Sequence, residues 1–143
     1  MTAGRRPLMV LRRTGAVLAG VVAVVVLSIG TDALLFATGV YPPGETRMSD
    51  GLFLLATAYR IAYGVAGGWI AARLAPDRPM AHALWLGAVG LAAGLAGTVA
   101  AGTSEKDLGP AWYSVAVVSI ALPTAWAGGR LQGAHAASQV VRA

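Results

Sequence analysis

Four long apolar stretches, separated by short polar segments, constrain this chain more than any other feature. They cover residues 14–38, 51–74, 80–101 and 111–131, and each holds at most two charged residues. A helix needs about 20 mostly apolar residues to cross the hydrocarbon core of a bilayer. The spacing therefore predicts an all-α membrane protein, a bundle of four transmembrane helices that forms a single integral membrane domain over residues 1–143.

The breaks between the stretches carry residues that end or begin helices. Pro42, Pro43 and Gly44 follow the first stretch, where proline cannot continue a helix and glycine accepts a tight turn. The segment 75–79 is short, so we expect the second and third helices to form an antiparallel hairpin. Pro110 stands just before the fourth stretch, a position that suits the first turn of a helix.

The low content of charge excludes a soluble fold. Only 12% of the residues are charged and 57% are hydrophobic, whereas soluble domains are about 25% charged. The chain has no cysteine, which excludes a disulfide framework and a thiolate metal site. The net charge of +5 comes from basic residues at the ends of the apolar stretches, a pattern typical of membrane orientation rather than nucleic-acid binding.

The distribution of basic residues predicts the direction of threading, because cytoplasmic loops are enriched in lysine and arginine. One side of the predicted bundle receives Arg5, Arg6, Arg12, Arg13, Arg73, Arg78, Arg130 and Arg142. The other side receives only Arg47 and Lys106, next to several acids. We therefore expect both termini in the cytoplasm. The preference for arginine over lysine, with many alanines, glycines and valines, suggests a GC-rich bacterial genome, so we expect the membrane to be the bacterial cytoplasmic (inner) membrane.

Small residues recur on one face of several stretches. Apolar burial does not drive helix association in lipid, but close approach of small residues does. The residues that we predict to pack helices together are Gly64, Gly67, Gly68, Gly87, Gly90, Gly94, Gly97 and Gly128. The glycines of the third stretch lie within a long apolar helix, so we interpret them as packing residues rather than as a phosphate-binding loop.

Two charged residues lie well inside the apolar stretches rather than at their ends, Asp32 in the first and Arg60 in the second. Each costs about 2.5–3.5 kcal/mol in the bilayer on insertion scales, so such residues are usually paired or functional. At 1.5 Å per residue they lie about 9 Å and about 14 Å below the same interface, within reach of each other. We predict an intramembrane ion pair that is either a structural link or part of an ion-coupling path. Pro123, near the middle of the fourth stretch, predicts a bend.

Residue types that carry catalysis are scarce. His82 and His135 are not at the spacing of metal ligands, and no cysteine can join them. No serine lies in a nucleophile elbow. We therefore expect a protein that is not an enzyme, with no catalytic residues, cofactor or metal.

The run Tyr59–Pro76 and the later runs Gly109–Tyr113 and Pro123–Gly129 combine glycine pairs with interfacial aromatic residues. Together they resemble a pattern of small uncharacterised bacterial inner-membrane proteins with four transmembrane helices. The resemblance covers roughly the last two-thirds of the chain. It implies the four-helix fold and brings no particular activity with it.

Two functional hypotheses follow from these features. The first is a non-enzymatic membrane protein that acts by helix packing, as a homo-oligomer or as an accessory of a larger membrane-protein partner, with membrane lipids around it and no nucleic acid bound. The second is a small dimeric transporter or channel with Asp32 and Arg60 on a polar path. The lack of a broad polar stripe in the third and fourth stretches argues against a wide aqueous pore.

The threading can be tested by chemical labelling. Cysteines introduced at Thr46 and Ser104 should react with a membrane-impermeant reagent added to intact cells, because both loops are predicted to face outward. A reporter fused after residue 143 should be active in the cytoplasm. Labelling of either loop only after cell lysis would contradict the predicted orientation.

Overall fold

A computed structural model of the chain describes residues 5–43, 47–104 and 109–142, and these residues form helices without any strand. The four helices are α1 (Arg5–Ala37), α2 (Asp50–Leu74), α3 (Pro79–Thr103) and α4 (Ala111–Arg142). The prediction of an all-helical chain with four helices is confirmed. Residues 44–46 and 105–108, which include most of the outer-loop charges used for the threading, lie outside the described residues.

Two helices continue well past the apolar stretches. α1 begins before its stretch, with Pro7 near its first turn, and α4 runs on to Arg142. Both extensions contain good helix formers such as arginine, leucine, alanine and glutamine, so the helical backbone does not end where the apolar run ends. Between α2 and α3 the turn is short, and Arg78 adopts a left-handed conformation (φ 43°) immediately before Pro79 begins α3.

Three of the helices are long and apolar enough to cross a membrane, judged by length and composition: α1 from Pro7 to Ala37, α3 and α4. The second helix, which carries Arg60 near its middle, is not in this group. By length and composition, the structure therefore supports three of the four predicted membrane spans, those of α1, α3 and α4.

Large apolar side chains cover the outside of the bundle, while small ones fill its inside. Leu11, Val26 and Leu34 of α1 are all more than 60% exposed. The central cluster consists of Ala71, Leu86 and Ala125 with two valines of α1 packed against it. In a soluble protein the large apolar residues would be buried, so this reversed distribution suggests lipid surroundings.

Helix α2 is the centre of the arrangement, since it packs against α1, α3 and α4. In the described ranges α1 and α4 do not contact each other. α1 approaches α2 most closely at Gly20, where an added Cβ would lie 2.7 Å from the Gly67 carbonyl oxygen. The side chain of Leu86 from α3 reaches the same point.

The contact between α2 and α4 brings the two backbones together at glycines. A Cβ at Gly68 would lie 2.5 Å from the carbonyl oxygen of Ala125, and one at Gly128 would overlap the carbonyl oxygen of Val65. At Gly64 the space for a Cβ is taken by the side chain of Thr124. These glycines are buried, so no larger residue fits without a shift of the helices.

Three glycines of α3 face α4 at different distances. A Cβ at Gly87 would meet Leu122 and Ala125 of α4 at 3.0 Å, and one at Gly94 would meet Val118 at 3.2 Å. At Gly90 the nearest atom would be the Cβ of Ala121, at 3.6 Å.

Gly97 has no packing partner among the described residues, because a Cβ there would meet no atom within 4 Å, and its role in helix packing stays a prediction. Periodicity placed Gly97 on the same face as the other glycines of α3. At this level, however, that face borders a cavity instead of a neighbouring helix.

An ion pair ties the beginning of α1 to the turn between α2 and α3. Arg13 donates two hydrogen bonds to Asp77, from Nε to Oδ1 at 3.0 Å and from a terminal nitrogen to Oδ2 at 2.5 Å. These bonds from the Arg13 guanidinium hold the pKa of the Asp77 carboxyl below its usual range. The pair is largely exposed, so we assign it an orienting role rather than a large contribution to stability.

The glycine contact between α2 and α4 predicts a position-specific effect of a single methyl group. Gly128→Ala should lower the stability by about 1–3 kcal/mol, the usual range for overpacking, because its Cβ overlaps the Val65 carbonyl oxygen. Gly133→Ala on the same helix is the matched control, since its Cβ would meet nothing within 4 Å. Thermal unfolding in detergent, followed by circular dichroism, should show a lower midpoint only for the first variant. Equal midpoints would contradict the close contact.

Candidate functional site: a charged pair beside an internal cavity

Asp32 and Arg60, the two charged residues well inside the apolar stretches, lie opposite each other on α1 and α2. A terminal nitrogen of Arg60 donates to Oδ2 of Asp32 at 3.2 Å. The two side chains are 32% and 30% exposed, for Arg60 and Asp32 respectively, so the pair is neither fully buried nor fully solvated. The structure thus brings together the two residues that the sequence predicts to pair.

Two tyrosines extend this pair into a chain of hydrogen bonds. The Tyr59 hydroxyl donates to Oδ1 of Asp32. Its oxygen lies 3.1 Å from the hydroxyl of Tyr41, which therefore donates to Tyr59. Tyr41 is only 3% exposed although it lies after the end of α1. The chain leads from the loop after α1 to the carboxylate.

A further hydrogen bond joins the same faces of α1 and α2. The hydroxyl oxygens of Thr31 and Tyr63 lie 2.7 Å apart. Sequence reasoning missed both Tyr59 and Tyr63 as partners of α1. Their spacing of four residues, which puts two phenols on one face of α2 beside Arg60, is the signal that could have identified them.

A cavity of about 600 Å³ lies beside the ion pair. Its walls come from α1, α3 and α4, and α2 contributes only Arg60 and Gly64. Its volume is within the range of about 300–1,000 Å³ that is usual for small-molecule sites. Most of the lining is apolar; the polar residues around it include Ser28, Asp32, Arg60, Thr98, Tyr113 and Thr124.

The cavity is closed at one end and open along one side. At the closed end lie Val21 of α1 and Leu86 of α3, the latter only 6% exposed. Along the side, Ile29 of α1 and Val89 of α3 also line the cavity and are 62% and 43% exposed. The cavity therefore opens between α1 and α3.

Hydrogen-bond donors at the cavity are only partly satisfied. Asp32 is the sole hydrogen-bond partner of Arg60 among the described residues, and the Nε of Arg60 is buried without a partner there. Arginine carries five N–H donors. The Tyr113 hydroxyl also borders the cavity, and it has no hydrogen bond to another described residue.

The remaining predicted residues lie outside this network. Pro123 lies inside α4, which continues through it, and the predicted bend stays a prediction. His82 is buried, with its Nδ1 3.2 Å from the carbonyl oxygen of Arg78. Within the described ranges no three histidine or acidic side chains come together as metal ligands would.

In comparisons with protein-family models, curated proteins and solved structures, the chain matches none. The resemblance to small bacterial inner-membrane proteins with four helices therefore stays a prediction. The cavity and the charged pair beside it are the features of the chain that bear on its function.

The ion pair can be measured by a double-mutant cycle. Asp32→Asn and Arg60→Gln should each lower the thermal stability in detergent, because each leaves the other charge without its partner. The double variant should lose less than the sum, with a coupling of about 0.5–3 kcal/mol. Asp50→Asn is the control, since this exposed acid at the start of α2 should combine additively with Arg60→Gln. Additive losses for Asp32 and Arg60 would mean that the two residues do not interact.

Proposed function

We propose that this chain is a small-molecule transporter of the bacterial inner membrane, with the cavity between α1, α3 and α4 as its binding site. The cavity is the observation that carries the proposal: it has the volume of a ligand site, an apolar wall and one charged pair. Asp32 and Arg60 form the charged end of the binding site. Ionisable residues that line a cavity inside a membrane protein commonly mark a substrate path.

The alternative, action by helix packing on a partner, receives less support from the geometry. The helix-packing hypothesis depends on the many small residues of the chain, which allow close contact with a helix of another protein. Gly64, Gly68, Gly87 and Gly128 instead meet other helices of the same chain. Gly97 borders the cavity. Dimer formation and a larger membrane partner stay predictions from the sequence.

The proposal includes α2 as the fourth span and both termini in the cytoplasm. At 1.5 Å per residue, the 25 residues of α2 extend over about 37 Å, more than the hydrocarbon thickness of about 30 Å. Its least apolar position, Arg60, is paired with Asp32 rather than turned to lipid. Arg12, Arg13, Arg73 and Arg78 then share the cytoplasmic side.

Filling the cavity should abolish binding. Gly97→Leu places a side chain on the wall of the cavity, at a position where an added Cβ meets nothing within 4 Å. Gly30→Leu is the matched control, since Gly30 is equally open but does not line the cavity. Native mass spectrometry of protein extracted from cells should detect a bound small molecule on the wild type and the control, and none on Gly97→Leu.

Transport of the molecule identified in this way is then measured in vesicles. Efflux should require the protein and should fall when Asp32→Asn is introduced. Equal adducts on all three proteins, or none on the wild type, would contradict the proposed site.

A further inference from the structure

The cavity has an apolar interior and a polar end. Val21, Val24 and Leu86 form its deep part, while Asp32, Arg60 and Tyr113 are the groups with polar tips. From Val21 to Asp32 the wall on α1 is about 16 Å long at 1.5 Å per residue. A space of this shape fits one extended hydrocarbon chain with a polar head at one end.

The polar end has an excess of hydrogen-bond donors. Both oxygens of Asp32 already accept a bond, one from Tyr59 and one from Arg60. Arg60 has only this one partner among the described residues, and the Tyr113 hydroxyl has none. The carboxylate is therefore already engaged, while the guanidinium has donors left.

Two threonine hydroxyls at the cavity do not add to this excess. Thr98 donates to the Gly94 carbonyl oxygen at 2.9 Å, and Thr124 donates to the Ile120 carbonyl oxygen at 2.7 Å.

Two serine hydroxyls do add to it. Ser28, one turn before Asp32 on α1, and Ser114, next to Tyr113 on α4, line the cavity without a hydrogen bond to another described residue. The unmatched donors are therefore Arg60, Tyr113 and these two serines, which lie near the charged pair or next to Tyr113 in the sequence.

Unpaired donors in an apolar environment are costly, and an arginine is best matched by the oxygens of a carboxylate or a phosphate. Those oxygens would complete the bonds of Arg60 without displacing Asp32. A cationic head would compete with Arg60 for Asp32 and leave the guanidinium with even fewer partners.

We propose that the cavity binds a single-chain amphiphile with an anionic head, a carboxylate or a phosphate, whose oxygens accept hydrogen bonds from Arg60. This inference rests on the proposed function, because it names the class of molecule that occupies the same site. The chain of the ligand lies toward Val21 and Leu86. It enters from the lipid through the side opening between α1 and α3.

Spin-labelled probes that differ only in their heads test the inference. The purified full chain is reconstituted in phosphatidylcholine vesicles with C18 probes that carry a carboxylate, a phosphate, a neutral methyl ester or a trimethylammonium head. Electron paramagnetic resonance measures the motionally restricted fraction as a function of probe concentration. Saturable binding should be about tenfold tighter for the anionic heads than for the ester, the value of one charge-assisted hydrogen bond. The carboxylate and phosphate arms identify which head is preferred.

Variants separate the role of Arg60 from general charge attraction. Arg60→Gln should bind the anionic and ester probes equally, and Arg60→Lys should retain the preference. Arg12→Gln removes a cation distant from the cavity and should leave the preference unchanged. Thermal unfolding of each variant verifies that it is folded. The relative affinities of the four probes are measured on the wild-type protein, so that result does not depend on the folding of any variant.

The failures of the two proposals can be told apart. If the probes bind saturably and Gly97→Leu abolishes binding, but the ester or cationic probe binds as well as the anionic ones, the inference about the head is wrong and the cavity stands. If no probe binds saturably, but the wild type carries a small molecule in native mass spectrometry that Gly97→Leu loses, the amphiphile is wrong and the proposed function stands. If no probe binds and the wild type carries no such molecule, or if Gly97→Leu binds like Gly30→Leu, the proposed function is wrong as well.

Discussion

Close approach of backbones at glycine is the constraint on which the rest of this structure depends. Lipid offers no advantage for burying large apolar side chains, so helices that associate in it need van der Waals contact over small residues. At Gly68 and Gly128 the contact between α2 and α4 leaves no room for a Cβ. This contact makes α2 the central helix, and it allows a helix that carries Arg60 to be surrounded by three others.

The charged pair and the cavity are consequences of the same arrangement. Because α1 contacts α2 and α3 but, in the described residues, does not contact α4, a space remains between α1 and α4. Arg60 borders this space from α2 and needs an anion, which Asp32 supplies from α1. The two opposite charges thus offset each other at the border of the cavity.

The sequence predicts the helices well because apolar runs and turn residues are local signals. It also predicts the approach of Asp32 and Arg60, since similar depth on consecutive helices leaves few alternatives. It does not predict Tyr59 as the second donor to Asp32, nor the open space at Gly97. Both features depend on how each helix is rotated about its axis and on which helices are not in contact. The periodicity of residues within one helix gives no information on either. The glycine pattern of α3 would look the same in the sequence whether those residues faced another helix or a cavity.

The position of Gly20 has a consequence for motion. α1 is held closely at Gly20 against Gly67, while its far end, at Ala37, lies about 25 Å away at 1.5 Å per residue. Between Gly20 and Ala37, hydrogen bonds of Thr31 and Asp32 hold α1 to α2. A tilt of α1 by a few degrees about the Gly20 contact would move its far end by about one or two ångströms, and it would leave the glycine contact between α2 and α4 intact. The hydrogen bonds of Thr31 and Asp32 to α2 oppose such a tilt.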